Sequence, residues 1–158
     1  MFEHLDQLGI ATTTLDHPPV FTVAESEAID RAVPGGHTKN LFLKDAKGRL
    51  FLVVAWTGTV VDLKGLPARI GSARLSFGNA ELMGRHLGVS PGSVTAFAAI
   101  NDRDSLVTVV LDKALLAFAT INCHPLENTA TTSIGRDDLL AFLRSTGHEP
   151  LIIDLAVS

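Results

Sequence analysis

Lys39 is the residue of this 158-residue chain whose position most demands a chemical reason. It opens the run Thr38-Lys39-Asn40-Leu41-Phe42-Leu43-Lys44-Asp45. Side chains alternate across a strand, so Lys39 falls on the face of Leu41 and Leu43, with Lys44 opposite. An ammonium at the head of an apolar stripe either snorkels to water at a strand end or overhangs a pocket that takes a polar or anionic ligand. Cys123-His124 is the candidate nucleophile pair. Neighbours in a strand point to opposite faces, so the two are poorly placed to pair, and Cys123 reads as a small buried hydrophobe. The six histidines His4, His17, His37, His86, His124 and His148 show no ligand spacing, and no spaced Cys/His set suggests zinc. Asp137-Asp138 opens a helix, where carboxylates suit the dipole better than they suit a catalytic pair. No GxGxxG, P-loop, GxSxG or HExxH motif occurs.

The elements that must position these residues follow from pattern. Asp45-Ala46-Lys47-Gly48 reads as a turn, and Arg49–Ala55 as a second strand, giving a hairpin of two largely buried strands. Before it, Met1–Leu8 has helical spacing ended by Gly9, and Ile10–Leu15 is β-prone. His17-Pro18-Pro19 forms a rigid extended loop, and Thr22-Val23-Ala24-Glu25 is a capping box that opens a helix to about Ala32. After the hairpin, Asp62 precedes a short helix at Leu66–Ile70, with Pro67 in its first turn. Arg74–Phe77 reads as a short strand, and Asn79 caps a helix that runs to Leu87 and Gly88. Val94–Ile100, Leu106–Leu111 and Ala117–Cys123 read as further strands. Arg136–Thr146 reads as an amphipathic helix and Leu151–Leu155 as a last strand. The irregular mixture predicts an α+β fold: a mixed, largely antiparallel sheet with flanking helices.

Length predicts a single domain over residues 1–158, and 46% hydrophobic residues argue against disorder. The longest apolar run, Leu50–Trp56, is too short to cross a bilayer, so no membrane partner is expected. The acidic start (Glu3, Asp6) is unlike a signal peptide, and the lone cysteine fits a cytoplasmic setting. The net charge of −4 conceals a split. Between Arg31 and Arg85, nine Lys/Arg face three Asp/Glu, so this stretch carries +6 and the rest of the chain −10. Such a split marks either a nucleic-acid face or cations scattered over the surface.

Several motifs come in order: His17-Pro18-Pro19-Val20-Phe21-Thr22, Thr38–Asp45, Pro91-Gly92-Ser93-Val94-Thr95, Asn101-Asp102, His124-Pro125-Leu126-Glu127-Asn128-Thr129-Ala130-Thr131-Thr132 and Gly147-His148-Glu149-Pro150. This ordered set resembles the YbaK/ProX family of freestanding aminoacyl-tRNA editing domains, which are similar to the editing insertion of bacterial prolyl-tRNA synthetases. Within that family the chain resembles the ProX (PrdX) branch. The resemblance covers nearly the whole sequence.

The resemblance implies a proofreading hydrolase, an aminoacyl-tRNA deacylase that cleaves the ester between a small amino acid and the 3′-terminal adenosine. Ala-tRNA(Pro) is the implied substrate. By motif match Lys39 is the family's functional lysine, fixing the terminal adenosine and its phosphate or carbonyl groups. The glycine-led loop maps to Gly92-Ser93-Val94-Thr95-Ala96, with Ala96 in place of the family's proline. Gly92 and Ser93 are assigned to catalysis, and Val94 and Thr95 to substrate binding. His124 is the matching pocket histidine and Asn40 a substrate-binding neighbour of Lys39. The family uses no metal, no cofactor and no Ser/His/Asp triad, and the substrate's 2′-hydroxyl assists. The acceptor end of tRNA, tRNA(Pro) first, is the implied partner, with prolyl-tRNA synthetase a second candidate. The alternatives are a deacylase of the same fold acting on Cys-tRNA(Pro) or Ser/Thr-tRNA, and a nucleic-acid-binding module without catalysis.

Overall fold

In the computed structural model, which describes residues 1–19 and 22–156, the chain runs α1 (Phe2–Gln7), β1 (Thr12–Asp16), α2 (Val23–Ala32), β2 (Gly36–Asp45), β3 (Leu50–Trp56), α3 (Leu66–Ile70), β4 (Leu75–Phe77), α4 (Ala80–Leu87), β5 (Val107–Asp112), β6 (Thr120–Cys123), β7 (Ala130–Gly135), α5 (Arg136–Ser145) and β8 (Leu151–Ile153). Two short 3-10 segments stand at Ala96–Asn101 and Lys113–Ala117. Val20 and Phe21 of the first family motif lie outside the described residues.

The strands form one sheet in the order β1-β7-β6-β2-β3-β5-β8, with β4 beside β2. Pairing is antiparallel for β1–β7, β6–β7, β2–β3 and β2–β4, and parallel for β2–β6, β3–β5 and β5–β8. The α+β class and the mixed sheet with flanking helices are as expected, with more parallel pairing than a largely antiparallel sheet would have.

The central hairpin aligns Thr38 with Trp56 through Lys44 with Leu50. Both of its faces are buried. Phe42, Leu52 and Val54 join Val109, Leu111 and the α5 residues Leu139 and Phe142 in the larger core. Leu43, Phe51, Val53 and Ala55 join Val110, Leu66 and Leu155 on the other side. This is why Leu50–Trp56 reads as an unbroken apolar run rather than an alternating one.

The hairpin turn is organised by Asp45. Its carboxylate accepts from Lys47 N (3.0 Å), Arg49 N (2.8 Å), Arg49 Nε (3.0 Å) and Ala73 N (3.1 Å). Burial by itself would raise this carboxyl's pKa. The donors from Arg49, Ala73 and Lys47 outweigh it and hold Asp45 below its usual 3.8.

Local signals are obeyed at several helix ends. Thr22 Oγ1 accepts from Glu25 N at 3.1 Å, and Asn79 Oδ1 accepts from Leu82 N at 2.9 Å. Three expectations need correction. Val94–Ile100 is not a strand: Thr95 caps a 3-10 segment, accepting from Phe97 N at 3.4 Å, and Ala96–Ala99 pack as a tight coil in the core. The strand expected over Ala117–Cys123 begins only at Thr120, and the last strand ends at Ile153. Strand β7 has no counterpart in the sequence reading. Among the described residues no helix is long and apolar enough to cross a membrane.

Candidate active site

β2 and β6 run side by side in parallel for two residue pairs, Gly36–Ile121 and His37–Asn122. Thr38 Oγ1 then donates to Asn122 O at 2.8 Å, and pairing ends. Beyond that tie β2 continues into Lys39 and Asn40, while β6 ends at Cys123 and the chain passes to His124. The gap where β6 ends and the edge of β2 runs on uncovered leaves room for a ligand. Here it is a cleft of about 240 Å³ lined by Thr38, Lys39, Asn40, Thr57, Gly92, Val94 and His124.

Three separate segments therefore bring Lys39, Asn40, Gly92, Val94 and His124 to one cavity. Ser93 and Thr95 stand apart from that wall. Both are buried, with Ser93 N donating to Ser90 O (3.0 Å) in the loop turn and the Thr95 hydroxyl capping the 3-10 segment. Gly92 sits at φ +92, a conformation that side chains with a Cβ rarely adopt, so the loop's bend beside the cleft depends on glycine. Thr57 and Thr38 were not singled out by the sequence. They enter the wall because the lysine strand and its hairpin partner carry them there.

Lys39 Nζ donates to the carbonyl of Thr59. It has no carboxylate partner among the described residues, which leaves a half-buried cation with donors to spare at the cleft. Its aliphatic stem lies beside Ala55, its partner across the hairpin. Asn40 Oδ1 is buried without a hydrogen-bond partner among the described residues. A buried acceptor left bare costs about 1–3 kcal/mol, which a ligand N–H or O–H would recover.

Behind Thr38 and His124 lies a second, smaller cavity of about 50 Å³. Its walls include those two residues, His17, Ile29, Asp30 and Thr131. Its polar walls are fixed by one another. His17 Nε2 lies 2.9 Å from Thr131 Oγ1, and His37 bridges Asp30 Oδ1 (3.1 Å) and Val33 O (2.6 Å). The roles of His17, Asp30, His37 and Thr131 escaped the sequence reading, although His17 and Thr131 sit inside quoted family motifs. His124 Nδ1 lies 3.3 Å from Ala130 O, which accepts from it. Burial pushes the ring's pKa down from 6.5. The hydrogen bond to Ala130 opposes this, and nearby His17 adds to it. The neutral ring then has Nε2 as its acceptor.

Cys123 shares the small cavity with His124, so the expectation of opposite facing fails. His124 follows the strand's last residue, and strand alternation no longer governs it. The pair is still not a nucleophile and its base. Burial pushes the thiol up to about 12, and no hydrogen bond joins it to His124 among the described residues. No group of three or more His, Cys, Asp or Glu side chains is arranged to hold a metal among the described residues.

The fold is shared with solved structures. One described as that of a candidate trans-editing enzyme for prolyl tRNA synthetase superposes with a TM-score of 0.75 at 20% identity, covering 99% of this chain and 94% of the other. The chain thus shares the α+β fold of that structure. The family whose description is "Aminoacyl-tRNA editing domain" matches residues 17–142. Prolyl-tRNA editing protein ProX of Acetoanaerobium sticklandii is 39% identical over 152 residues, 96% of this chain and 93% of that protein. Prolyl-tRNA synthetase associated domain-containing protein 1 of Danio rerio is 41% identical over 153 residues, 96% of this chain and 83% of that one. The chain belongs to the aminoacyl-tRNA editing domain family and is an enzyme of the aminoacyl-tRNA deacylase type.

Proposed function

We propose that the protein edits prolyl-tRNA in trans, hydrolysing Ala-tRNA(Pro) to alanine and free tRNA. The observation that carries this reading is the cavity of about 50 Å³ behind the Lys39 cleft. A single water needs roughly 10–15 Å³ of such space, so the cavity takes about three to five water-sized groups, the scale of a small side chain. In this reading proline is rejected by steric exclusion, because overfilling a packed site costs roughly 1–3 kcal/mol or more. A synthetase cannot reject a smaller amino acid by size, and a second, tighter site supplies what the first cannot.

In this reading the terminal adenosine lies in the larger cleft, with its ester at the shared wall of Thr38 and His124. The Lys39 ammonium binds the terminal phosphate or carbonyl oxygen. Asn40 Oδ1 receives a donor from the substrate. Backbone N–H groups of Gly92 and Val94, the loop residues at the cleft, face the ester carbonyl and stabilise its developing negative charge. Water attacks the carbonyl carbon, the C–O bond to the ribose breaks, and the water's proton passes to the departing ribose oxygen. An aminoacyl ester is labile, so positioning and charge stabilisation suffice. tRNA(Pro) is the partner, and prolyl-tRNA synthetase is the enzyme whose errors are removed. The polar cavity walls His17, Asp30 and Thr131 favour a serine hydroxyl as the second reading.

The test is single-turnover hydrolysis of Ala-, Ser-, Gly-, Cys- and Pro-tRNA(Pro). Alanine is expected fastest, serine or glycine slower, and proline barely cleaved. Cysteine far ahead of alanine would reassign the substrate, rapid loss of proline would end the proofreading reading, and no turnover of any would leave a binding module.

A pH profile tests His124 separately. Because its ring titrates below 6.5, the rate should be level near neutrality and fall as acid protonates Nε2, through a midpoint below 6.5. His124→Ala should remove that limb. A limb centred above 6.5, or one unchanged in the variant, would take His124 out of the reaction.

A further inference from the structure

Four of the nine cations of the central stretch gather in one place. At the closed end of the hairpin, β4 lies against β2, with Lys44 opposite Ser76 and Ala46 N donating to Arg74 O. Lys44, Lys47, Arg49 and Arg74 gather there. Asp45 is the acid within this group, and its carboxylate is enclosed by the turn's own donors. Arg49 is occupied by Asp45 and by Gly71 O. Lys44, Lys47 and Arg74 form no ion pair among the described residues. Arg103 and Asp104, in the turn leading to β5, offset one another. Phe77, which ends β4, is 61% exposed on the face opposite Ser76 and Lys44. A cluster of unpaired cations on one end of a sheet is the electrostatic footprint of a nucleic-acid surface.

We infer that the tip of the β2–β3 hairpin, together with β4, binds the sugar–phosphate backbone of the RNA beyond its 3′ end, with Lys44, Lys47 and Arg74 on phosphates. The inference rests on the proposed function for the identity of the RNA. Its geometry comes from β2 itself. Lys39 in the cleft and Lys44 at the tip are on one strand, five residues apart, which at roughly 3.3 Å per residue is about 17 Å. A strand is stiff, so one element sets the spacing between the reacting end and the backbone contacts.

The experiment measures binding of uncharged tRNA(Pro) as a function of salt for the parent, for the triple variant Lys44→Ala/Lys47→Ala/Arg74→Ala, and for Phe77→Ala. Deacylation of whole aminoacyl-tRNA is measured beside that of an aminoacylated CCA trinucleotide. The triple variant should bind tRNA at least about tenfold more weakly, and its slope of log K against log salt should be shallower by about 2–3. Its KM for the whole substrate should rise, while its rate on the trinucleotide stays at the parent's. Phe77→Ala, on the opposite face of β4, is the control and should bind as the parent does. Parent-like affinity and slope in the triple variant would overturn the inference and leave the patch to an acidic protein partner. Equal losses on tRNA and trinucleotide would overturn it too, by placing the effect in the cleft. Binding of uncharged tRNA needs no turnover, so a failure of the editing reading would show as binding without hydrolysis, distinct from a failure of the patch.

Discussion

Lys39→Met should lower kcat/KM for the aminoacyl-tRNA by about 10²–10³-fold, the usual cost of removing one preorganised electrostatic donor from a reacting centre. Methionine keeps an unbranched stem against Ala55, so far-UV circular dichroism and the unfolding midpoint should stay near the parent's. The size of the effect follows from what Lys39 lacks. Its ammonium meets a neutral carbonyl, that of Thr59, and no carboxylate among the described residues, so its charge is free to be spent on substrate. Lys113→Ala serves as the control, an exposed lysine outside the cleft that removes the same charge. Similar losses in both variants would show a general charge effect and remove Lys39 from the site.

The largest stability effect belongs to a pair far down the sequence. His148 Nε2 lies 2.8 Å from Asp102 Oδ2, with both side chains buried. Asp102 also accepts from Leu106 N (3.1 Å) and Val107 N (2.8 Å), which fixes the start of β5. The other ring nitrogen of His148 lies 2.9 Å from Thr146 Oγ1, whose own hydrogen goes to Leu143 O (2.8 Å). Both ring nitrogens therefore have partners, and the end of α5 is fastened to the head of β5. Removing one partner of a buried pair leaves the other without compensation and costs about 3–5 kcal/mol. His148→Ala should show that loss in urea unfolding, while His148→Gln, which keeps a donor, should recover part of it. Equal losses in the two variants, or a loss below about 1 kcal/mol, would mean that the contact is packing and not a charge pair.

This pair also explains two motifs that carried the family resemblance, Asn101-Asp102 and Gly147–Pro150, as structural rather than catalytic. Other parts of the fold were legible for local reasons. The hairpin declared itself through an apolar run on either side of a polar, glycine-containing turn, and α2 and α4 through caps that the structure uses. The 3-10 segment did not, because Val94–Ile100 has the apolar content of a buried strand and only the Thr95 cap and small alanines distinguish a tight coil. Strand β7 did not either. Ala-Thr-Thr-Ser-Ile-Gly is too polar to look like a strand until its hydroxyls find partners, as Thr132 does with Thr14 (2.9 Å) and Ser133 with Asn122. That omission hid the small cavity as well. β7 carries Thr131, and His17 follows directly from its partner β1, with His17 N bound to Thr129 O at 2.9 Å. Lys39 drew notice as an ammonium heading an apolar stripe, but Asn40, Gly92, Val94 and His124 were found by motif match, not by physics. Their convergence needs the parallel β2–β6 pairing, which no local pattern announces.

The two cavities stand back to back with Thr38 and His124 as their common partition. Part of the smaller one's wall comes from elements that do not border the larger one, Ile29 and Asp30 on α2 and Thr131 on β7. A lineage carrying this fold can therefore change which amino acid it polices by exchanging a residue on a surface helix, leaving the lysine, the glycine loop and the partition untouched. On the proposed function, selectivity and reactivity rest partly on separate segments, and drift in the first need not pass through an inactive ancestor.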